Sequence, residues 1–206
     1  MKNYPDWRFN FSDDWQEKNF DDVIIPKARI GWQNLRKDEY LKVGYAYLIS
    51  GTDFNNGTIS LENIWQVTNK RYEMDKNIQV SEGDILVTKD GTIGKIAVVP
   101  KLDKPITLNS GVYVFRTKEN LTSQFLYIVL QSQIFKNFID HLQAGSTINH
   151  LYQKDLQHFK FKIPSPEEQK KIADYFTHLD KIISAENKIL ESMREMKKGL
   201  LQKLFV

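Results

Sequence analysis

The chain has 206 residues, 41% hydrophobic and 27% charged, and no cysteine. That suffices for one sizeable domain plus an appendage, and it excludes a disulfide framework and any thiolate metal site. Net charge is +3 but uneven: residues 1–26 carry three basic against six acidic side chains, residues 27–165 eighteen against thirteen, and the rest eight against seven. The mildly basic middle permits a nucleic-acid partner without proving one. No signal-peptide pattern or long apolar run occurs, so the expectation is a cytoplasmic protein with no membrane association.

The opening is aromatic and acidic. Trp7, Phe9, Phe11, Trp15 and Phe20 are too many for a floppy tail, and predict an arm packed on the domain, with a short helix near Asp13–Asn19. Gly44–Ser50 reads as a strand. Asn55-Asn56-Gly57 is a turn signal, and Thr58–Leu61 reads as the next strand. Gln33, Asn34, Arg36 and Lys37 form a polar, basic cluster in a predicted loop. Such side chains can read base edges, and they also populate ordinary solvated loops.

In VSEGDILVTKDGTIGKIAVVP, Ile85–Thr88 is a predicted strand, Lys89-Asp90-Gly91 a tight hairpin turn, and Ile93–Val99 the returning strand. Gly91, Gly94 and Lys95 do not make a phosphate loop. Their spacing is too short, and Ile96 stands where Ser or Thr is needed. The tip still offers backbone N–H groups, a hydroxyl and two lysines, which suit a nucleic-acid backbone. Residues 105–117 alternate like a strand, with Val112 and Val114 on one face and Tyr113 and Phe115 on the other. Residues 122–142 read as one apolar helix with Phe125, Ile128, Val129, Phe135, Phe138 and Ile139 as core. A small polar loop, Gly145–His150, precedes a short helix near Tyr152 and a last strand, Phe159–Ile163. His141, His150, His158 and His178 show no ligand spacing, so no metal site is expected.

From Ser165 the pattern changes. Ser165 can cap a helix, Pro166 fits its first turn, and Glu167 and Glu168 favour the positive end of its dipole. Apolar residues then recur every seven on three rows: Tyr175, Ile182, Ile189, Met196; Leu179, Met193, Leu200, interrupted by Glu186; and Phe176, Ile183, Leu190, Leu204, interrupted by Lys197. This predicts an amphipathic helix of roughly 60 Å. Its stripe calls for a second long helix, the alternative being a helix folded back on its own domain. No nucleophile elbow, Walker motif, dinucleotide fingerprint or HExxH is present, and the Glu-x-Lys pairs of the long helix are its solvated face.

Several stretches together resemble the specificity subunit of type I restriction–modification enzymes. They are PDWRFNFSDDWQEKNFDDV, GDILVTKDGTIGKIAVV, SGVYVFR, AGSTINHLYQKDLQHFKFKIPSPEEQKKIADYF and the terminal helix. The resemblance implies an α+β fold, with a mixed target-recognition domain of short strands and helices at residues 1–163. A coiled-coil-type spacer and dimerisation helix follows at 164–206. It implies a non-catalytic role reading half of a bipartite site in double-stranded DNA, with helix pairing setting the distance between halves. The implied partners are methyltransferase subunits, which bind S-adenosylmethionine, a restriction–translocase subunit, and a second copy of the chain. A family subunit has two recognition domains and two helices; this chain has one of each. Base-reading residues vary in such a family. Candidates for DNA contact therefore rest on chemistry and loop position: Gln33, Asn34, Arg36, Lys37, Lys70, Arg71, Lys89, Thr92, Lys95, Ser146, Thr147, Asn149, His150 and Lys154. Candidates for dimerisation are Phe176, Leu179, Ile182, Ile183, Ile189, Leu190, Met193, Met196, Leu200 and Leu204. A protein-interaction module that never meets DNA and an autonomous nuclease are the alternatives.

Overall fold

The computed structural model describes residues 8–30, 35–144 and 150–205. Chain order gives β1 (Gln16–Asn19), α1 (Phe20–Val23), β2 (Ile24–Ala28) and β3 (Ala46–Ile49). Then come β4 (Phe54–Asn55), β5 (Thr58–Ile59), β6 (Trp65–Val67), α2 (Asn69–Glu73) and β7 (Gln79–Val80). β8 (Ile85–Thr88), β9 (Ile96–Val98), β10 (Ile106–Leu108) and β11 (Val112–Thr117) follow. α3 (Ser123–Gln131), α4 (Gln133–Ala144), α5 (Gln153–Leu156), β12 (Lys160–Ile163) and α6 (Pro166–Leu204) complete the chain. The class is α+β, as the resemblance implies.

Two four-stranded sheets carry the fold, in the orders β6-β3-β10-β7 and β2-β11-β8-β9. All their pairings are antiparallel except β3 with β10. β11 explains the layering. Its Val112 and Val114 pack with Tyr47, Ile49, Ile106 and Leu108 of the first sheet. Its Tyr113 and Phe115 pack with Phe125, Leu126, Phe135 and Ile139 of α3 and α4. A strand apolar on both faces must be covered on both, so the second sheet lies between the first sheet and the helices. The predicted core positions Phe125, Val129, Phe135 and Ile139 are buried there, with Ile128 and Phe138 half-buried against them.

Four local predictions need correction. The segment before Phe20 is a strand, β1, not a helix. Gln16 to Asn19 pair antiparallel with Ile163 to Lys160, and ladder bonds outweigh local propensity. The helix starts only at Phe20, where the Asp22 carboxylate accepts from the Asn19 N–H (3.1 Å). Residues 105–117 form two strands in two sheets. The chain turns at Asn109, whose side-chain oxygen accepts from the Gly111 N–H (3.3 Å). Residues 122–142 form two helices. At Ser132 the backbone is extended, and its hydroxyl donates to the Val129 carbonyl (2.6 Å), which ends α3. The strand predicted to begin at Ile93 begins at Ile96, because Ile93 is buried in the helix-side core and Gly91 and Gly94 hold φ of 69° and 79°.

α6 is a continuous helix of 39 residues. The Ser165 hydroxyl accepts from the Glu168 N–H, as a cap should. Its opening turns belong to the domain. Glu168, Gln169, Ile172 and Ala173 are buried. The Gln169 side chain donates to the carbonyls of Asn120 (2.7 Å) and Pro164 (3.1 Å) and accepts from the Thr122 N–H (2.9 Å). Beyond Leu179 the helix stands clear. Ile182, Ile183, Ile189, Leu190, Met193, Met196, Leu200 and Leu204 are all exposed, Phe176 is 40% exposed, and Leu179 is half-buried. The helix does not fold back on its own domain. No helix among the described residues is long and apolar enough to cross a membrane.

Candidate nucleic-acid interface

Three connections meet at one end of the sheets. β3 runs into Ser50–Asp53, β8 into residues 89–95, and β10 into residues 109–111. Because β3 and β10 are parallel neighbours, both exit at the same end. Ser50, Gly51, Thr52, Thr88, Asp90, Gly91, Thr92, Lys95, Asn109, Ser110 and Gly111 line a cleft of about 470 Å³ there.

Each wall is held by short polar bonds. Thr88 is buried, and its hydroxyl donates to the Thr92 carbonyl (2.5 Å) and accepts from the Lys95 N–H (2.9 Å). The Thr88 N–H reaches the Lys95 carbonyl, and the Gly94 N–H reaches the Thr88 carbonyl, both at 2.9 Å. The loop is thus closed on itself and anchored by Ile93. Gly94 cannot be replaced freely, since a Cβ there would sit 2.9 Å from Ile139. Across the cleft, the Asp53 carboxylate accepts from the Ser50 N–H and hydroxyl, both at 2.7 Å. The Asn109 amide donates to the Tyr40 hydroxyl (3.1 Å). A backbone positioned this firmly is suited to presenting donors to a fixed target.

The segment leading to α5 joins this cleft. Asp90 and His150 form an isolated antiparallel bridge, and the Asp90 carboxylate is paired with His150 Nδ1. The Leu151 N–H donates to the Lys89 carbonyl (2.7 Å). The Tyr113 hydroxyl donates to the Leu151 carbonyl (3.1 Å). Burial, with the charges of Asp90 and Asp155, pushes the Tyr113 phenol up to about 12, so it stays a neutral donor. Lys89 lies over the Tyr113 ring (5.4 Å), Lys154 over the Tyr152 ring (5.4 Å), and the His150 and Tyr152 rings are 4.3 Å apart.

Of the sequence candidates, Lys89, Thr92, Lys95, His150 and Lys154 are therefore brought together. Gln33, Asn34, Ser146, Thr147 and Asn149 lie outside the described residues. Arg36, Lys37 and Lys70 are exposed and do not line the cleft. Arg71 is a correction. It is 7% exposed, with Nε 3.4 Å from Glu39, so it ties α2 to the turn at Lys37–Glu39 rather than standing in a solvated loop. The sequence reading missed Ser50, Thr52, Asp90, Asn109, Ser110 and Tyr152. Outside the cleft lining, the Lys42 ammonium sits 3.9 Å over the part-exposed Trp65 ring. A hydroxyl-rich turn beside a strand was the only local signal for Ser50 and Thr52.

The cleft and its rim combine hydroxyls, the Asn109 amide, the Asp90 carboxylate, lysines and the rings of Tyr113, His150 and Tyr152. These are the groups that contact phosphates and base edges. Among the described residues no three His, Asp or Glu side chains stand together as metal ligands. A sequence model of the type I restriction modification DNA specificity domain matches residues 12–194. The chain belongs to that family. It is 31% identical over 169 residues to the MjaVIII specificity subunit of a type I restriction enzyme of Methanocaldococcus jannaschii, covering 82% of this chain and 36% of that protein. It is 25% identical over 200 residues to the EcoBI specificity subunit of Escherichia coli, covering 94% and 41%. Its fold matches the S subunit of a type I restriction–modification system from M. genitalium with a TM-score of 0.62 at 19% identity, over 98% of this chain and 48% of that one. The specificity domain described here thus spans less than half the length of these relatives.

Proposed function

We propose that this chain recognises one half of a bipartite sequence in double-stranded DNA and does no chemistry itself. Lys89, Thr92, Lys95, His150 and Lys154, with Ser50, Asn109 and Ser110, form the reading edge. Two copies pair antiparallel through α6, which spaces the half-sites. Methyltransferase subunits dock on the pair and bind S-adenosylmethionine; a restriction–translocase subunit joins them. The assembly acts on DNA in the cytoplasm.

The observation that carries this reading is the convergence of segments 50–53, 89–95 and 109–111 on one cleft, with His150 bridged to Asp90 beside it. It gathers hydroxyls, the Asn109 amide and Lys95 on closed, hydrogen-bonded turns, groups that contact phosphates and base edges of a duplex. The pairing rests on the uncovered apolar rows of α6, which in water require a second apolar surface. The test is methylome mapping of cells with and without this gene beside a cognate methyltransferase. Bipartite, symmetric modified sites that vanish with the gene are expected; unchanged methylation overturns the reading.

A further inference from the structure

The end of the first sheet that carries the cleft extends beyond it. In the order β6-β3-β10, Asn109 follows β10 and Ser50 follows β3, and both line the cleft. β6 is the next strand outward. It runs antiparallel to β3 with Trp65 opposite Leu48, so Trp65 stands at that same end. One strand spacing, about 5 Å, separates it from β3. Tyr40 joins the two regions. Its hydroxyl accepts from the Asn109 amide (3.1 Å), and its ring meets the Trp65 ring edge-on, with centroids 5.9 Å apart. The Lys42 ammonium lies 3.9 Å from the centroid of the Trp65 ring.

The backbone beneath Lys42 is fixed. Leu41 and Gln66 exchange both N–H···O bonds at 2.9 Å. The buried Gln66 amide donates to the Lys42 carbonyl (3.2 Å) and accepts from the Gly44 N–H (2.9 Å) and the Lys104 ammonium (2.8 Å). Gly44 is packed so closely that a Cβ there would sit 2.8 Å from the Val67 carbonyl oxygen. The lysine carried on this frame is exposed, and among the described residues its ammonium has no hydrogen-bond or carboxylate partner. Contact with a ring face leaves the N–H donors of an ammonium available. The indole also restrains a side chain that would otherwise have much rotamer entropy to lose on binding.

We propose that Lys42 takes a backbone phosphate of the bound duplex beyond the bases met by the cleft, with Trp65 and Tyr40 as its mount. This deepens the reading that the cleft meets DNA, and rests on it. Continuity and charge select that occupant. The contacts in series, 3.1, 5.9 and 3.9 Å, keep the ammonium within a few base steps of Asn109, at about 3.4 Å per step. A restrained cation without an acid partner complements a polyanion. Such a contact carries no sequence information. It sets the register in which the cleft meets the bases. Lysines at a sheet edge also block pairing with other chains, but that role needs no fixed ammonium.

The duplex to titrate carries the bipartite site found by methylome mapping, with a mixed-sequence duplex as reference. Lys42→Met in the full chain should weaken binding about three- to tenfold near 0.1 M salt and flatten the salt slope by roughly one unit. The ratio of specific to nonspecific affinity should stay the same. Copies of the duplex, each with one neutral methylphosphonate, then locate the contact. One position should weaken the wild-type chain and not Lys42→Met, and it should differ from any position coupled to Lys95→Ala. Trp65→Leu should give a smaller loss of the same kind, with circular dichroism checking its fold. Unchanged affinity and slope for Lys42→Met overturn the ledge and leave the cleft standing. Lost capture of the methyltransferase with DNA binding intact also overturns it, and assigns the ledge to a protein partner. Larger species in sedimentation with DNA binding intact overturn it too, and assign Lys42 to guarding the sheet edge. Absence of a mapped site, or of salt-dependent binding by the wild-type chain, overturns both ledge and cleft.

Discussion

Arg8 grips the Glu168 carboxylate with two guanidinium nitrogens across 160 residues of chain, Nε at 2.9 Å. Trp15 Nε1 donates to the same carboxylate at 3.2 Å. Glu168 is 1% exposed and lies in the first turn of α6, where the helix dipole adds to the attraction. The domain is thus tied to α6 by a buried charged bond, reinforced by Gln169. Under the proposed function, this joint would set where the helix starts relative to the domain.

Arg8→Ala should therefore cost on the order of 3 kcal/mol of stability, because a buried carboxylate is left without its cation. Glu168→Gln keeps the shape and should cost less. Both are read from urea unfolding midpoints. Arg8→Ala should also loosen the angle between domain and helix, lowering methylation at bipartite sites more than it lowers binding to a single half-site. Equal losses in both assays would mean that the joint serves stability alone.

At the reading edge, Lys89→Ala with Lys95→Ala should weaken DNA binding and flatten the plot of log affinity against log salt. The slope should change by roughly one unit for each phosphate that a lysine no longer neutralises, since each neutralised phosphate releases about one counterion. The lysine heads take no part in the bonds that close the loop, so the melting temperature should stay nearly unchanged. Fluorescence anisotropy across a salt series checks this, and an unchanged slope removes the loop from the interface.

The Asp90–His150 pair bridges the two segments that the proposal needs together. Both side chains are partly exposed, 41% and 36%, so solvent screens the pair and its coupling is about 1 kcal/mol or less. Asp90→Ala or His150→Ala should thus change stability little. Either should reduce sequence discrimination, measured as the ratio of specific to nonspecific affinity, because the pair sets the spacing of two reading segments. A thermal shift as large as that of Arg8→Ala, with discrimination intact, would assign the pair to folding instead.

How far the sequence disclosed this arrangement depends on the range of each interaction. The Asn56-Gly57 turn was legible because only a few residue types accept positive φ, and both residues adopt it, at 47° and 79°. The α6 cap at Ser165 and the exposed rows were legible because both follow from spacing within one element. The layering was half legible: β11 alternates two apolar sets, but no local pattern says which meets helices and which meets a sheet. Long-range pairing was hidden. Arg71 looks like a solvated residue in TNKRYE, and its partner Glu39 is thirty-two positions away. Glu168 looks like a dipole partner at a helix start, and its burial depends on Arg8 at the other end of the chain. The cleft was assembled by the β3–β10 pairing and the Asp90–His150 bridge, neither of which leaves a local signal.

The length of α6 is itself open to test. With two copies antiparallel, the reading domains sit at opposite ends of the rod, and two-fold protein symmetry demands an inverted repeat in the DNA. Inserting seven residues between Lys188 and Ile189 keeps the apolar rows nearly in phase, with a drift of about 20°. It lengthens the rod by about 10 Å. At about 3.4 Å per base step, the gap between half-sites should grow by up to roughly three base pairs, less whatever bending absorbs. A three-residue insertion instead turns the rows away from each other and should weaken the dimer. Leu179→Glu with Leu190→Glu should do the same without lengthening anything, giving monomers whose domain stays folded. Modified sites mapped for each variant with one methyltransferase decide the matter. If the seven-residue variant stays active and its gap is unchanged, α6 does not measure the DNA.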